Sequence, residues 1–195
     1  MKTSSTRVES GFAYSRSFFE NLVDSALAHA RKLGATDAGA EASEGCGLSV
    51  SVRKGEPKPD ISSADALKKT LLDAKSIAYS ASASGTYLSE ELFPRLGVMD
   101  AIKDKAKRIE SERVGTVVAR GDAELGFQQV SELLPIEGLD FVGVLSDDVQ
   151  KVTVFSAGLV VGSKEPEAAK ELIDFLASKT AAPAIEKSGM TPILP

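Results

Sequence analysis

From residue 60 onward, short apolar runs alternate with helical patterns, and this alternation most constrains the fold. Strand-like runs stand at Ile77–Tyr79, Lys107–Ile109, Glu124–Phe127 and Phe141–Leu145, with the longest at Val152–Val161. Helical patterns fall between them. One opens at a Ser62-x-x-Asp65 capping box and runs through Ala74, and Gly85–Arg95 ends at Gly97. Others cover Met99–Lys103, Val114–Arg120, Val130–Leu134, Pro166–Ala177 and Ala182–Lys187. Strands interleaved with helices bury their apolar faces as a sheet with helices packed on it, so the expected class is α/β.

The first sixty residues follow a different rule. Residues 1–15 are polar and Ser-rich and read as a disordered arm. Ser17–Leu33 is helical in pattern and ends at Gly34. Ala38–Glu44 and Leu48–Arg53 alternate like strands, and Glu44-Gly45-Cys46-Gly47 between them reads as a hairpin turn. Lys54–Pro59, KGEPKP, is a break. The expected organisation is therefore an arm (1–15), a helix-hairpin α+β module (16–56) and an α/β domain (58–195).

The stretch Ser76–Glu91, SIAYSASASGTYLSEE, carries the clearest chemistry. An apolar strand passes through small residues into Ser84-Gly85, where a helix opens. The first turn of a helix presents unused N–H groups at the positive end of its dipole. Small residues let a ligand approach them, and the Ser82 and Ser84 hydroxyls add donors, so the corner suits an anion without Lys or Arg. Ser111, in ESERVG, stands at a second strand-to-helix corner as a candidate cap. Gln128 and Gln129 close a strand and can turn amide donors and acceptors into a cleft.

Other chemistries find no support. A net charge of −5 argues against nucleic acid as a partner. His29 is the only histidine and Cys46 the only cysteine, so neither a zinc cluster nor a disulfide is expected. Cys46 is expected to be exposed in the hairpin turn. With no GxSxG elbow, P-loop or GxGxxG, the chain is expected not to be an enzyme and to need no cofactor. The N-terminus lacks the apolar core of a secretory signal, which as written places the chain in the cytoplasm.

Several segments in order carry a resemblance: KPDISSADALKKTLLDAKSIAYS, SASGTYL, ARGDAELGFQQVSELLPI, QKVTVFSAGLVVGSKEPEAAKELIDFLAS and APAIEKSGMTPI. From about Lys58 to Thr191 the chain resembles the C-terminal part of molybdate-type substrate-binding proteins, the periplasmic receptors of ABC importers. The resemblance implies a type II periplasmic binding-protein lobe with C-terminal helices, in a family whose two α/β lobes close on a ligand. It implies an oxyanion (molybdate, tungstate or sulfate) held by neutral donors, the membrane subunits of an importer as partners, and a periplasmic location. By position it implies ligand contacts from Ser84 and Gly85, with Ser111 near the next contact. Gln129 stands where molybdate binders present a tyrosine. Residues 16–56, with LVDSALAHARKLGATDAGAEASEGCGLSVSVRKGE, resemble the N-terminal segment of the TldD/PmbA peptidase family, without its metal-binding motif. The chain then reads as a fusion lacking the first lobe. Its uncovered apolar surface invites the N-terminal module or a second copy, and the alternative function is an interaction protein with no small ligand.

Overall fold

A computed structural model describes residues 42–159 and 163–193. The fold is α/β, and the chain divides into two units. One runs from Cys46 to Thr153; the other comprises Met1–Gly45 and Val154–Pro195. The expected arm, the first helix and His29 lie outside the described residues.

The 46–153 unit is built on a five-stranded sheet in the order β4-β3-β5-β2-β6. Its strands are β2 (Leu48–Arg53), β3 (Ile77–Ser80), β4 (Ala106–Ile109), β5 (Leu125–Gln129) and β6 (Leu139–Val144). β3 pairs in parallel with β4 and β5, whereas β2 is antiparallel to both β5 and β6. The expected hairpin is therefore not formed. Only Gly47 separates β2 from β1 (Ala42–Cys46), and β1 instead lies between β7 (Thr153–Ala157) and β8 (Thr191–Ile193) in the other unit's sheet. Leu48, Val50 and Val52 do face a core, but the partners of β2 come from much later in the chain.

Two apolar layers cover this sheet. On one face Leu48, Val50, Ile77, Leu125 and Phe127 meet α1 (Ala64–Asp73) and a longer helical rod. Ser63, not Ser62, caps α1, its hydroxyl accepting from the Ala66 N–H at 3.2 Å. The rod comprises α2 (Ala83–Tyr87), a wider turn (Leu88–Leu92) and α3 (Phe93–Leu96). In the wider turn the Phe93 N–H bonds to Leu88, five residues back, just before Pro94, which has no N–H to give. Phe93 stands edge-on to Tyr79 and Phe127, at 5.9 and 6.4 Å between ring centroids, and fixes the rod over the β3–β5 seam. Gly97, at φ +67°, ends it, and α4 (Met99–Ile102) leads to β4. On the opposite face α5 (Val114–Ala119) packs Val114, Val117 and Val118 against Ala78. A Cβ on Gly126 would come within 2.7 Å of Val118, so the bare backbone there lets α5 lie close. The short α6 (Val130–Leu133) follows β5 directly.

Cys46 is buried rather than exposed, with its sulfur 3.3 Å from the Ser131 hydroxyl. Burial pushes its pKa up, so the thiol stays protonated and is a poor nucleophile. In the other unit α7 (Pro166–Leu176) and α8 (Ala182–Lys187) follow the sequence pattern closely. Pro166 stands in the first turn of α7, and Gly189 at φ +87° follows α8.

Candidate functional site

The parallel strands β3, β4 and β5 all end at one edge of the sheet, where an open α/β sheet leaves a crevice for a ligand. β3 runs out into Ser80, the chain turns through Ala81 and Ser82, and α2 opens at Ala83. The first bond of the rod joins the Thr86 N–H to the Ser82 carbonyl at 3.0 Å, so the N–H groups of Ala83, Ser84 and Gly85 precede the helical ladder.

Gly85 makes this corner tight. A Cβ there would lie 1.6 Å from the Ser80 carbonyl oxygen, and only glycine lets the rod sit directly on the end of β3. The corner folds three hydroxyls together. Ser80 lies 2.7 Å from Ser82 and 3.1 Å from Ser84, and Ser82 lies 3.1 Å from Ser84. Ser84 donates to Gln129 Oε1 at 3.0 Å, which joins the end of β5 to the head of the rod. Ser84 is 5% exposed and Gln129 is 6% exposed, so these groups are held away from bulk water.

The adjacent glutamines point to opposite faces, as neighbours on a strand must. Gln129 reaches the serine cluster. Gln128 turns the other way, and its Oε1 accepts from the Val114 N–H at 3.2 Å, capping α5 from the sheet. Ser49 in turn donates to the Gln128 carbonyl at 2.9 Å.

Of the residues singled out in the sequence, Ser82, Ser84, Gly85 and Gln129 lie together. Ser111 is exposed, two residues beyond Ile109, whose carbonyl accepts from the Ala81 N–H of the turn at 3.0 Å. It does not cap α5, whose cap residue is Arg113 with no side-chain bond, because Gln128 has taken the helix's leading N–H. Ser80, the first residue of the corner but not among the contacts expected from the sequence, ends β3 and is a full member of the cluster. Its signal was its place as the last strand residue, two and four before Ser82 and Ser84.

The arrangement offers hydroxyl donors, early helix N–H groups and an amide, and no charged side chain bonds into the cluster among the described residues. Neutral donors of this kind stabilise an anion by charge-assisted hydrogen bonds. Among the described residues no group of His, Cys, Asp and Glu side chains is arranged to hold a metal ion, and no helix is long and apolar enough to cross a membrane.

Comparison with known proteins places this geometry in context. The family model for bacterial extracellular solute-binding proteins matches residues 21–191. The match runs through residues 21–56, so the likeness of that segment to the TldD/PmbA peptidases finds no support. A protein from Pseudomonas sp named aconitate isomerase is 53% identical over 146 residues, which cover 75% of this chain and 56% of that protein. The chain thus spans little more than half the length of that relative. A substrate-binding domain assigned to a molybdenum ABC transporter of Clostridium difficile superposes with a TM-score of 0.61 at 20% identity, over 87% of this chain and 72% of that one. The tungstate-binding protein of Desulfovibrio alaskensis G20 gives 0.57 at 12% identity, over 88% and 76%. At these identities the solved structures speak for the fold alone. The Pseudomonas relative corrects one expectation. Missing nucleophile and cofactor motifs argued against an enzyme, yet a protein this similar bears an enzyme's name. Isomerisation needs none of those motifs, so their absence carried less weight than the sequence reading gave it.

Proposed function

The chain belongs to the bacterial extracellular solute-binding protein family, and from that premise we propose that its serine corner holds a carboxylate of a small polycarboxylate of the aconitate kind. The observation that carries this reading is the cluster of Ser80, Ser82 and Ser84 tied to Gln129 at the head of the rod. A carboxylate offers two oxygens with several lone pairs and is well matched by hydroxyl, amide and helix N–H donors. A tetrahedral oxyanion such as molybdate, tungstate or sulfate would suit the same donors. The likeness to a protein named aconitate isomerase supports the carboxylate. On this reading the chain is the anion-binding part of an isomerase acting on aconitate. A second reading, a periplasmic receptor that hands an anion to the membrane subunits of an ABC importer, draws support from the family's description as extracellular solute binders.

Calorimetric titration of the whole chain with trans-aconitate, molybdate, tungstate and sulfate tests the ligand. Saturable heat with trans-aconitate is expected. Heat only with a tetrahedral oxyanion would favour the receptor. Incubation with trans-aconitate followed by proton NMR tests turnover, and the expected outcome is appearance of the other geometric isomer.

A further inference from the structure

We infer that Arg108 is the specificity-determining residue of this site, supplying the positive charge that meets a second carboxylate of the ligand. The inference rests on the carboxylate reading above and adds what that reading lacks, since the corner itself carries no charge.

The placement follows from the sheet. β3 lies between β4 and β5, and its registers set Tyr79 opposite Arg108 on one side and Phe127 on the other. Arg108, Tyr79 and Phe127 therefore share a face, and Gln129, two residues beyond Phe127, shares it too. The end of β3 is thus flanked on the same face by Arg108 from one neighbouring strand and by Gln129 from the other. Gln129 reaches Ser84. Arg108 reaches the turn itself, its Nη2 donating to the Ala81 carbonyl at 3.1 Å. Ala81 sits between Ser80 and Ser82, so the guanidinium is anchored on the backbone of the turn that carries the serines.

Its remaining capacity is what matters. A guanidinium has five N–H donors in a fixed fork, and one bond to Ala81 leaves most of that fork unspent. Among the described residues no carboxylate pairs with it; Glu112, on the following loop, is taken by Arg120 at 2.6 Å. The side chain is exposed, so a second anionic group has access to it. A compact oxyanion seated on Ser80, Ser82 and Ser84 would hold all of its charge at the corner. A polycarboxylate would seat one carboxylate and extend another along its carbon chain, where a planar fork can take it in bidentate fashion. Arg108 would then favour multiply charged carboxylates over single ones and over small inorganic anions.

The test is calorimetry of trans-aconitate over a range of ionic strengths with the whole chain, as wild type, Arg108→Gln and Arg108→Lys. Melting temperatures of all three should agree, because the side chain is exposed. Expected is about tenfold weaker binding for Arg108→Gln, the scale of one lost charge-assisted hydrogen bond. Its salt dependence should also be flatter, and Arg108→Lys should keep the salt dependence with part of the affinity. Unchanged affinity in Arg108→Gln overturns the inference and leaves the carboxylate reading standing. Weaker binding with an undiminished salt dependence also overturns it, since Arg108 would then only brace the Ala81 turn. A wild type that takes tungstate but no trans-aconitate brings down the carboxylate reading and this inference with it.

Discussion

Two strand-to-helix corners stand in the same unit, and they differ in what the side chains at each helix start bond to. At the end of β4 the chain enters α5, and the Val114 N–H is consumed from within by Gln128. At the end of β3 the chain enters α2, and the side chains around it bond chiefly to one another: three serines and Gln129. The first corner spends an amide on the fold. The second spends none of these side chains on a helix N–H: its hydroxyls bond one another and Gln129. Adjacent residues of one strand serve the two purposes, and the alternation of a β-strand is all that separates them.

The strongest way to break the comparison is to open the second corner by force. Gly85→Val should destabilise the fold by about 3 kcal/mol or more, since a Cβ would overlap the Ser80 carbonyl. Urea denaturation would measure it, and a loss below about 1 kcal/mol would mean that the rod can shift off β3. Ser84→Asp should abolish anion binding in calorimetry, because a carboxylate placed among the hydroxyls repels the guest. Normal binding by that variant would put the site elsewhere. Gln128→Ala should cost about 1–3 kcal/mol by leaving the buried Val114 N–H without its acceptor, while anion affinity changes little. If Gln128→Ala instead weakened binding and spared stability, the two glutamines would have exchanged roles. The smallest effect is expected for Ser111→Ala, within about 0.5 kcal/mol in stability and none in binding, since the residue is exposed and caps nothing.

What the sequence made legible was local. Prolines and glycines marked helix ends well, although of α1 to α8 only α1 is capped by its own N-cap side chain. Pro166 stands in the first turn of α7, and Gly97, Gly121 and Gly189 follow α3, α5 and α8; such residues act within a turn of their own position. The serine corner was legible for the same reason: small residues between an apolar strand and an amphipathic helix are a pattern within one short window. Partnerships across the chain were not. Leu48–Arg53 was readable as a strand, but not that it lies between β5 and β6. A glycine-flanked Cys46 looked like a turn, although a single glycine suffices for one strand to end and the next to begin in a different sheet. The capping of α5 by Gln128 hid behind Ser111, which was nearer in sequence and of the favoured type. Arg108 was invisible for a related reason, because its nearness to Ala81 depends on the pairing of β3 with β4.

The place of β2 also has a kinetic consequence. It is the first strand of its unit to be synthesised, and both its neighbours come later; Ser49 waits for Gln128, 79 residues on. Until β5 arrives, this apolar ribbon has no native partner and must remain solvated, or be shielded, while the parallel β3–β4 pair assembles. Contacts of such sequence separation form slowly, because chain entropy is lost before they reward it. Folding of the unit should therefore be limited by the insertion of its oldest strand. A polypeptide begun at Lys58, the boundary that the prolines suggest, would leave a slot between β5 and β6 open to strands of other molecules and should aggregate rather than fold.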